Sequence, residues 1–448
     1  MSETDRLIES VKELLSGGRD ERLAALLEDA HAADVASIIR ELPPLDQIHV
    51  FRLLSAEHAG AVLAELDDST AHELLQTLDE SEVTRVLGRM PAEGVVEILE
   101  ELPKEESEKI LELMQEEKSE EVQELLAYGK GTAGRLMSPD FVAVHEAASV
   151  GEAIEHIRKS TSGDRAFYLY VVDGHDHLVG LVPLHRLLTA DPTTPIHEIR
   201  TDEVPSVTVD TDQEEVARLV QRYDLIQVPV VDANRRLLGS ISVDDVIDVI
   251  QKEATEDIQR LAGVAGDETV LDPPRAAFPK RLVWRLINLG TAVLAASVIG
   301  LFESSIRELA MLAIFMPIVA SMGGIGTTQT ATVVVRGIAL GELTRSVLGR
   351  VLWKELWLGL TTGAANGLVI AAIAYVWKGH LLVSLILGVA LVFNMLVAAV
   401  VGTLIPVALK AFRIDPAIAS SVIITTFTDV FGFFSFLGLA TLLMKFLL

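Results

Sequence analysis

Five long apolar runs in the C-terminal part of the chain constrain its fold more than any other feature. They cover residues 282–302, 309–335, 356–377, 381–409 and 416–444. A helix that crosses the hydrocarbon core of a bilayer needs about 20 apolar residues, and every run is long enough. The few polar residues between the runs could not cover five such helices in a soluble core. We therefore expect five transmembrane helices.

The charge of the chain is divided unequally along its length. Residues 276–448 contain 6 of the 64 acidic residues and 12 of the 37 basic ones, so residues 1–275 are strongly acidic. An acidic surface repels the phosphates of nucleic acids and attracts cations. The composition thus excludes a simple soluble enzyme and argues against a nucleic-acid partner. The N-terminus lacks the features of a cleaved signal peptide, and the absence of cysteine excludes disulfides.

The basic residues that flank the five runs predict their orientation. If the N-terminal half is cytoplasmic, the inner flanks carry ten Lys or Arg residues and the outer flanks carry three. This bias follows the positive-inside rule. We expect a cytoplasmic N-terminal half and a C-terminus on the opposite side of the membrane.

Asp429 is the one acidic residue well inside a predicted span. Ionisable residues at this depth are costly, and they mark ion paths or buried helix contacts. No Lys or Arg lies deep in another span, so a cation site on a water-lined path is favoured over a packing role. Thr425, Thr426 and Thr428 add hydroxyl groups nearby, although such residues also pack between helices.

The second run contains a further interruption, at the glycine-rich segment 323–330. These glycines favour either a close helix crossing or carbonyl groups exposed to a cavity. Pro317, just before them, predicts a kink. Asn366 and Asn394 in the third and fourth runs are expected to form hydrogen bonds between helices.

Residues 38–114 contain a 12-residue repeat of apolar doublets, each followed three residues later by another apolar residue. A helix breaker or cap often follows the unit, namely Pro43, Ser55, Asp67, Asp79, Pro91 and Pro103. Each unit therefore predicts one short, capped helix. Because none can bury its apolar face alone, we expect the helices to stack into a superhelix.

A second repeat, of about 60 residues, occupies residues 136–256. Its copies align YVVDGHDHLVGLVPLHRLL (170–188) with PVVDANRRLLGSISVDDVI (229–247). Each copy predicts strand, helix, strand, turn, strand and helix. The pattern resembles a tandem pair of CBS domains, a module that senses nucleotides or other small ligands.

The resemblance to CBS domains implies candidate nucleotide contacts. Ser242 and Asp245 match the ribose-contact pattern in the second copy, and Tyr170 is a further candidate, with ATP as the expected ligand. The first copy has Pro183 and Arg186 at the corresponding positions, so the resemblance does not imply the same ribose contact in that copy.

Acidic residues are dense in and after the second CBS copy. Carboxylate oxygens suit hard divalent cations such as Mg²⁺, and clustered carboxylates repel one another unless counter-ions bind. An ordinary solvated surface is the alternative for each residue. The 11 histidines lie almost entirely in the soluble half and show no metal-ligand spacing. The candidate regulatory metal ligands are Glu93, Asp212, Glu214, Asp224, Asp245, Asp248, Glu253, Glu256 and Asp257.

These observations predict a multidomain membrane protein. We expect an α-superhelical N domain at 1–130 and an α/β tandem CBS module at 131–250, divided into 131–198 and 199–250. A connecting helix is expected within 251–274, with residues 250–272 helical up to the prolines that follow. A five-helix transmembrane domain at 275–448 completes the chain.

This order of segments resembles the MgtE family of magnesium transporters over nearly the whole chain. The most specific stretches are KEATEDIQRLAG (252–263), MPIVASMGGIGTTQT (316–330) and DPAIASSVIITTFTDVFG (415–432). The resemblance implies a homodimeric, magnesium-selective channel or transporter in the bacterial inner membrane, with no enzymatic activity.

The same resemblance implies roles for particular residues. The second and fifth spans would line the pore, and Asp429 would hold hydrated Mg²⁺ with Ser421, Thr425 and Gly324 nearby. The cytoplasmic acids would bind abundant Mg²⁺, draw the domains together and close the pore as feedback. Ile325 stands where the family's GGN motif has Asn, so the side-chain contact of that Asn is missing here.

Other functions follow less directly from the sequence. A transporter of cobalt or manganese is one alternative, although the absence of cysteine argues against soft metals. A CBS-bearing membrane sensor without conduction is another. An ATP-hydrolysing pump lacks its Walker sequence here, and the spans contain no nucleophile and base for a membrane enzyme.

Overall fold

The computed structural model describes residues 3–160, 166–270, 273–418 and 421–444. The chain divides into two compact units, Met1–Ile250 and Gln251–Leu448. Each unit is described by itself.

The first unit begins with a series of short helices. Helices α3 to α10 begin 12 residues apart, which confirms the helical repeat predicted from the apolar doublets. Their bounds are α1 Glu3–Ser16, α2 Asp20–Glu28, α3 Ala32–Glu41, α4 Pro44–Leu53, α5 Ala56–Ala64, α6 Asp68–Thr77, α7 Glu80–Leu87, α8 Ala92–Glu101, α9 Lys104–Leu113, α10 Glu116–Ala127 and α11 Ala133–Leu136.

The predicted breakers stand at the N-caps of these helices. Ser55 and Asp67 accept hydrogen bonds from backbone N–H groups in the first turn, and Asp79 forms a reciprocal capping box with Glu82. Alternate helices pack together, such as α5 on α7 and α8 on α10. Most of the apolar doublets are buried in one continuous core, and the partly buried Ile98, Ile110 and Leu111 pack against it, as a stacked superhelix requires.

Two three-stranded sheets follow, with the predicted order of elements in each copy. The first contains β1 Ala143–His145, α12 Val150–Lys159, β2 Tyr168–Val172, β3 Leu178–Pro183, α13 Leu184–Thr189 and α14 Ile196–Ile199. The second contains β4 Val207–Thr208, α15 Gln213–Tyr223, β5 Gln227–Val231, β6 Leu237–Ser242 and α16 Val243–Leu261. In both sheets the first strand pairs parallel with the second, and the second pairs antiparallel with the third.

The aligned glycines of the two copies occupy the same register position. Gly180 pairs with Val171, and Gly239 pairs with Val230. A Cβ atom at Gly239 would lie 2.6 Å from the Ser138 carbonyl oxygen, so only glycine fits this close approach of two backbones.

Helix α16 ends earlier than the sequence predicts. We expected helix over 250–272, but α16 stops at Leu261. Gly263 has φ +73°, and the Val264 N–H reaches back to the Gln259 carbonyl oxygen at 2.9 Å. This is a Schellman cap, which uses the left-handed glycine to end the helix. The part of the prediction that falls on 271–272 lies outside the described residues.

The second unit contains five helices long and apolar enough to cross a membrane, as predicted. They are α17 Pro274–Gly300, α19 Met311–Ala339, α20 Arg345–Lys378, α21 Leu381–Ala411 and α22 Ser421–Leu442. A short helix, α18 Glu303–Glu308, and a single 3₁₀ turn at Pro416–Ile418 lie between them.

Glycines set the closest helix contacts in this unit. Gly359, Gly363 and Gly367 form a stripe on α20 against α21, and a Cβ at Gly367 would lie 2.7 Å from the Gly388 carbonyl oxygen. Small residues allow such close approach in membranes. Helix α19 runs without a break through Pro317 and the glycine-rich segment. Of the two roles expected for these glycines, the close contacts of Gly323 and Gly326 with α21 fit the helix crossing, and the kink at Pro317 stays a prediction.

Candidate functional site

The predicted pore residues lie on two helices that pack together, α19 and α22. Thr425 and Asp429 stand one turn apart on α22, and Asp429 is half-buried. A Cβ atom at Gly324 of α19 would lie 3.4 Å from Thr425 Cγ2. The structure therefore brings Gly324 and Thr425 together, whereas the Ser421 side chain lies outside the described part.

A groove of about 700 Å³ runs along α19 beside this contact. Gly324 belongs to both the groove and the α22 contact. The groove is lined by Ser321, Gly324, Ile325, Thr328, Gln329, Thr332 and Val333. The exposed Gln329 amide is expensive in lipid, so this surface is expected to meet water or protein.

Several groove residues were missed by the sequence reasoning. Thr328 donates its hydroxyl to the Gly324 carbonyl oxygen at 3.0 Å, and Thr332 donates to the Thr328 carbonyl oxygen at 2.8 Å. Each donor is therefore satisfied within α19, and the hydroxyl oxygens remain as acceptors for a cation or its waters. The spacing of four from Gly324 through Thr328 to Thr332 was the available signal.

Asn394 lies behind the groove and ties α21 to α19, which confirms the predicted hydrogen bond between helices. It is buried, and its Nδ2 donates to the Val319 carbonyl oxygen at 2.9 Å. Gly323 and Gly432 give it room, since a Cβ at either would press on the amide. Asn366, by contrast, is exposed on α20.

Glu355 is a second acidic residue in a spanning helix. It lies on α20 and is buried. The predicted apolar run did not include it, because α20 begins eleven residues before that run. Thr330 of α19 donates to its Oε2 at 3.0 Å, and the Lys354 ammonium lies 3.0 Å from its Oε1. The Glu355 carboxylate is thus paired. Its hydrogen bond to Thr330 links α19 to α20, and this structural role explains why an acid is buried here.

The end of α16 lies in a cluster of four carboxylates, here called the inner acidic cluster. Its members are Glu253, Glu256, Asp257 and Asp415. Arg260 forms ion pairs with Glu256 and with Asp415, which lies between α21 and α22. Three members were predicted from the sequence, whereas Asp415 was missed. The DP pair at the start of the fifth run was the available signal.

The surroundings of the inner acidic cluster disfavour the charged form of its carboxylates. Burial raises the pKa of Asp257 to about 6, and the charges of Asp415 and Glu253 act in the same direction. Burial also raises the pKa of Glu256, while Arg260 opposes that shift. Arg260 and Arg336 also oppose the pKa shift of Asp257, so two guanidinium groups face four carboxylates, and a divalent cation would relieve the remaining repulsion.

A second pair of predicted ligands meets in the first unit. Burial raises the pKa of Glu93, and the charges of Asp245 and Asp140 add to this effect. Burial likewise raises the pKa of Asp245. Glu93 Oε2 is buried without a hydrogen-bond partner within the described residues. An orphaned carboxylate oxygen beside two further acids fits a hard cation.

Other predicted metal ligands have local structural contacts. Asp212 caps α15 and accepts a hydrogen bond from the Glu214 N–H at 2.9 Å. Asp224 ends the same helix in a left-handed conformation with φ 51°. Asp248 lies one turn beyond Asp244 on α16, and its charge is felt by Asp245.

The candidate nucleotide residues fall into two environments. Ser242 donates its hydroxyl to Asp245 at the junction of β6 and α16, where both side chains are partly accessible. Tyr170 is buried in β2, and its hydroxyl has no hydrogen-bond partner within the described chain. Ser242 and Asp245 are therefore more accessible to a ligand than Tyr170.

Comparison with family profiles follows the same division of the chain. Residues 316–439 match a family described as a divalent cation transporter, MgtE. Residues 30–131 match the MgtE intracellular N domain, and residues 133–193 and 196–252 match the CBS domain.

Two curated relatives are both named magnesium transporter MgtE. The protein from Thermus thermophilus is 37% identical over 321 residues, which cover 71% of this chain and 71% of the relative. That from Enterococcus faecalis is 36% identical over 322 residues, covering 72% and 71%.

Two solved structures resemble the soluble part. The soluble part of a magnesium transporter has 31% identity and a TM-score of 0.53, covering 56% of this chain and all of that one. The cytosolic domain of the Mg²⁺ channel MgtE in complex with ATP has 35% identity and a TM-score of 0.52, covering 54% of this chain and 99% of that one.

Proposed function

This chain belongs to the MgtE family, and from that premise we propose that it conducts Mg²⁺ through the surface shared by α19 and α22. The observation that carries the proposal is the groove on α19, whose lining includes Thr328 and Gln329 and which meets α22 at Gly324 and Thr425. Asp429 lies one turn beyond Thr425 and is the proposed ligand of the hydrated ion. The curated relatives are named magnesium transporters, which supports transport as the function, and we propose that it involves no chemical turnover.

A homodimer would complete this path. In a single chain the groove is open, and the Gln329 amide that lines it is costly to expose to lipid. A second copy on the same surface would enclose the groove in protein and water. We propose a bacterial inner membrane as the location, as the family resemblance implies, with the acidic N-terminal half in the cytoplasm, as the charges flanking the helices predict.

Uptake of Mg²⁺ into liposomes tests the proposal. The wild type should take up Mg²⁺ when the cytoplasmic side holds little of it, and Asp429→Ala should abolish uptake. Glu303→Gln is a matched control, because it removes an exposed carboxylate on α18 and should leave uptake unchanged. Uptake of cobalt or manganese without Mg²⁺ would favour another cation, and no uptake at all would favour a sensor.

Feedback closure is the second part of the proposal. The inner acidic cluster and the Glu93–Asp245 pair both hold carboxylates that burial and like charge disfavour. Mg²⁺ would relieve this repulsion when it is plentiful and hold the cytoplasmic segments in a closed arrangement. Removing Mg²⁺ would restore the repulsion and open the path.

Neutral replacement of four proposed regulatory ligands tests the gate. The combination Asp245→Asn, Asp248→Asn, Glu256→Gln and Asp257→Asn should leave the pore open at Mg²⁺ concentrations that close the wild type. The matched control replaces four exposed acids of α9 and α10 by glutamine, at Glu105, Glu112, Glu116 and Glu117. Unchanged Mg²⁺ inhibition in the first variant would contradict the gate.

ATP is the proposed ligand of the second CBS copy. The related cytosolic domain was solved with ATP, and Ser242 and Asp245 are partly accessible at the junction of β6 and α16. We propose that they contact the ribose, with ATP acting as a regulator and not as a substrate.

A further inference from the structure

The turn between β2 and β3 gathers three side chains that can bind a metal. We propose that Asp173, His175 and His177 form a site for a transition-metal cation such as Zn²⁺, Co²⁺ or Ni²⁺. One ligand atom from each side chain lies within 4.8 Å of the others. The expectation that the histidines lack a metal arrangement is therefore wrong, because the turn folds residues 173–177 back on themselves. This binding site is independent of the proposed magnesium transport.

The turn itself holds the three side chains in place. Asp173 Oδ1 accepts hydrogen bonds from the N–H groups of His175 and His177, at 2.8 and 3.0 Å. His177 Nδ1 lies 3.0 Å from Asp173 Oδ2, and the two imidazole rings stack with centroids 5.8 Å apart. Small rotations would bring all three ligand atoms to the ~2.0–2.2 Å bond lengths of zinc.

The accessibility of the turn suits exchange of a metal with solvent. Asp173 and His177 are half-buried, and His175 is exposed. A Cβ at Gly174 would lie 3.9 Å from His145 Nε2, so a third imidazole flanks the turn. His145 Nδ1 accepts the Ala147 N–H at 3.1 Å, so its Nε2 carries the proton and can donate to a metal-bound water.

The imidazole ligands set the expected selectivity. Nitrogen donors suit zinc, cobalt and nickel, whereas magnesium prefers oxygen ligands and keeps most of its waters. Two of the three side chains here offer nitrogen. A transition metal should therefore bind even when Mg²⁺ is in large excess.

The second CBS copy provides an internal control for the turn. Asp232 occupies the position of Asp173 and accepts the N–H groups of Asn234 and Arg236, both at 2.8 Å. Asp176 and Arg235 share a left-handed backbone, with φ 63° and 66°. The same turn therefore forms without histidine, so the imidazoles are not needed to fold it.

The two turns also contact each other. Arg236 donates to Asp176 Oδ2 at 3.2 Å, and the Leu178 N–H donates to the Arg235 carbonyl oxygen at 2.9 Å. A metal that stiffens the first turn would therefore act on the contact between the two CBS copies.

Zinc binding by the full chain tests the site. The protein, purified in detergent without a polyhistidine tag and stripped with EDTA, is dialysed against Zn²⁺ in millimolar Mg²⁺. The wild type should retain Zn²⁺, and the double variant His175→Asn, His177→Arg should bind it about tenfold more weakly or worse. This variant installs the residues of the second copy's turn. The control His185→Asn, His197→Arg makes the same exchanges at exposed histidines of the same copy.

Two results would overturn the site: no Zn²⁺ retained by the wild type in Mg²⁺, or equal affinity in the double variant. A measurement on the wild type alone avoids any effect of the substitutions on folding. Zn²⁺ should protect His175 and His177, but not His185, from modification by diethyl pyrocarbonate. If Zn²⁺ left the modification of His175 and His177 unchanged, as it should for His185, that result would also exclude the site.

Discussion

Neighbouring glycines of α19 should respond very differently to alanine. A Cβ at Gly323 would press into the Asn394 amide, with the Cγ atom 2.9 Å away, and would displace the hydrogen bond to Val319. Overpacking costs roughly 1–3 kcal/mol, and an interhelical hydrogen bond in a membrane contributes about 1 kcal/mol. Gly323→Ala should therefore destabilise the protein by about 2–4 kcal/mol.

Gly324→Ala is the matched comparison. Its Cβ would lie 3.4 Å from Thr425 Cγ2, which is an ordinary van der Waals contact. We expect a change below about 1 kcal/mol, because alanine also favours the helix. The larger Gly324→Leu should project into the groove and reduce Mg²⁺ uptake while the protein stays folded.

Thermal unfolding of the purified protein in detergent measures the stability of the two alanine variants, and liposome uptake measures Mg²⁺ transport by Gly324→Leu. Gly323→Ala should unfold at a clearly lower temperature than either the wild type or Gly324→Ala. Equal unfolding temperatures for the two alanine variants would refute the assigned helix rotation. Full uptake by Gly324→Leu would refute the placement of the path along the groove.

Three further predictions concern other parts of the chain. Arg260→Gln removes one cation of the inner acidic cluster, so elastase, which cleaves after small residues such as Ala265, should cut residues 262–270 several-fold faster in Mg²⁺-free buffer, while Arg307→Gln leaves the rate unchanged; an equal rate in Arg260→Gln would contradict the role of its ion pairs. Ser242→Ala should weaken ATP binding about tenfold, the equivalent of one hydrogen bond of roughly 1.4 kcal/mol, measured by isothermal titration; unchanged affinity would exclude the assigned contact. Asp79→Ala removes the capping box of α7 and should lower the stability of the first unit by about 1 kcal/mol in urea, and no shift would show that the cap is dispensable.

Features that depend on local sequence were predictable. The 12-residue period of the N-terminal helices and their caps follow from doublets and breakers within each unit. The five membrane helices follow from apolar length, and the CBS order of elements follows from its repeat. Family membership was predicted from three short stretches and is confirmed by the curated relatives.

Features that depend on distant contacts were not predictable. The pairing of Arg260 with Asp415 joins residues 155 positions apart, and hydropathy gives no sign of it. Glu355 was overlooked because polar residues at the start of α20 hid the true length of the helix. The end of α16 at Leu261 differs from these two, because it is set locally by the Schellman cap at Gly263, and that glycine was an available signal that the predicted helix overlooked.

The rotation of α19 was equally hidden from the sequence. Gly323 and Gly326 face α21, whereas Gly324 faces α22 and the groove. Consecutive glycines look alike in a sequence, and only the neighbouring helices decide which of them serves packing and which borders the groove. The candidate ion path therefore needed the structure.

The most direct test of conduction is the reversal potential of the purified protein in a planar bilayer with Mg²⁺ as the only permeant cation. The wild type should carry a current that reverses at the Mg²⁺ equilibrium potential, and Asp429→Ala should carry none, while Glu303→Gln behaves as the wild type. A current that follows the proton gradient, or one that persists unchanged in Asp429→Ala, would contradict a magnesium path along α19 and α22.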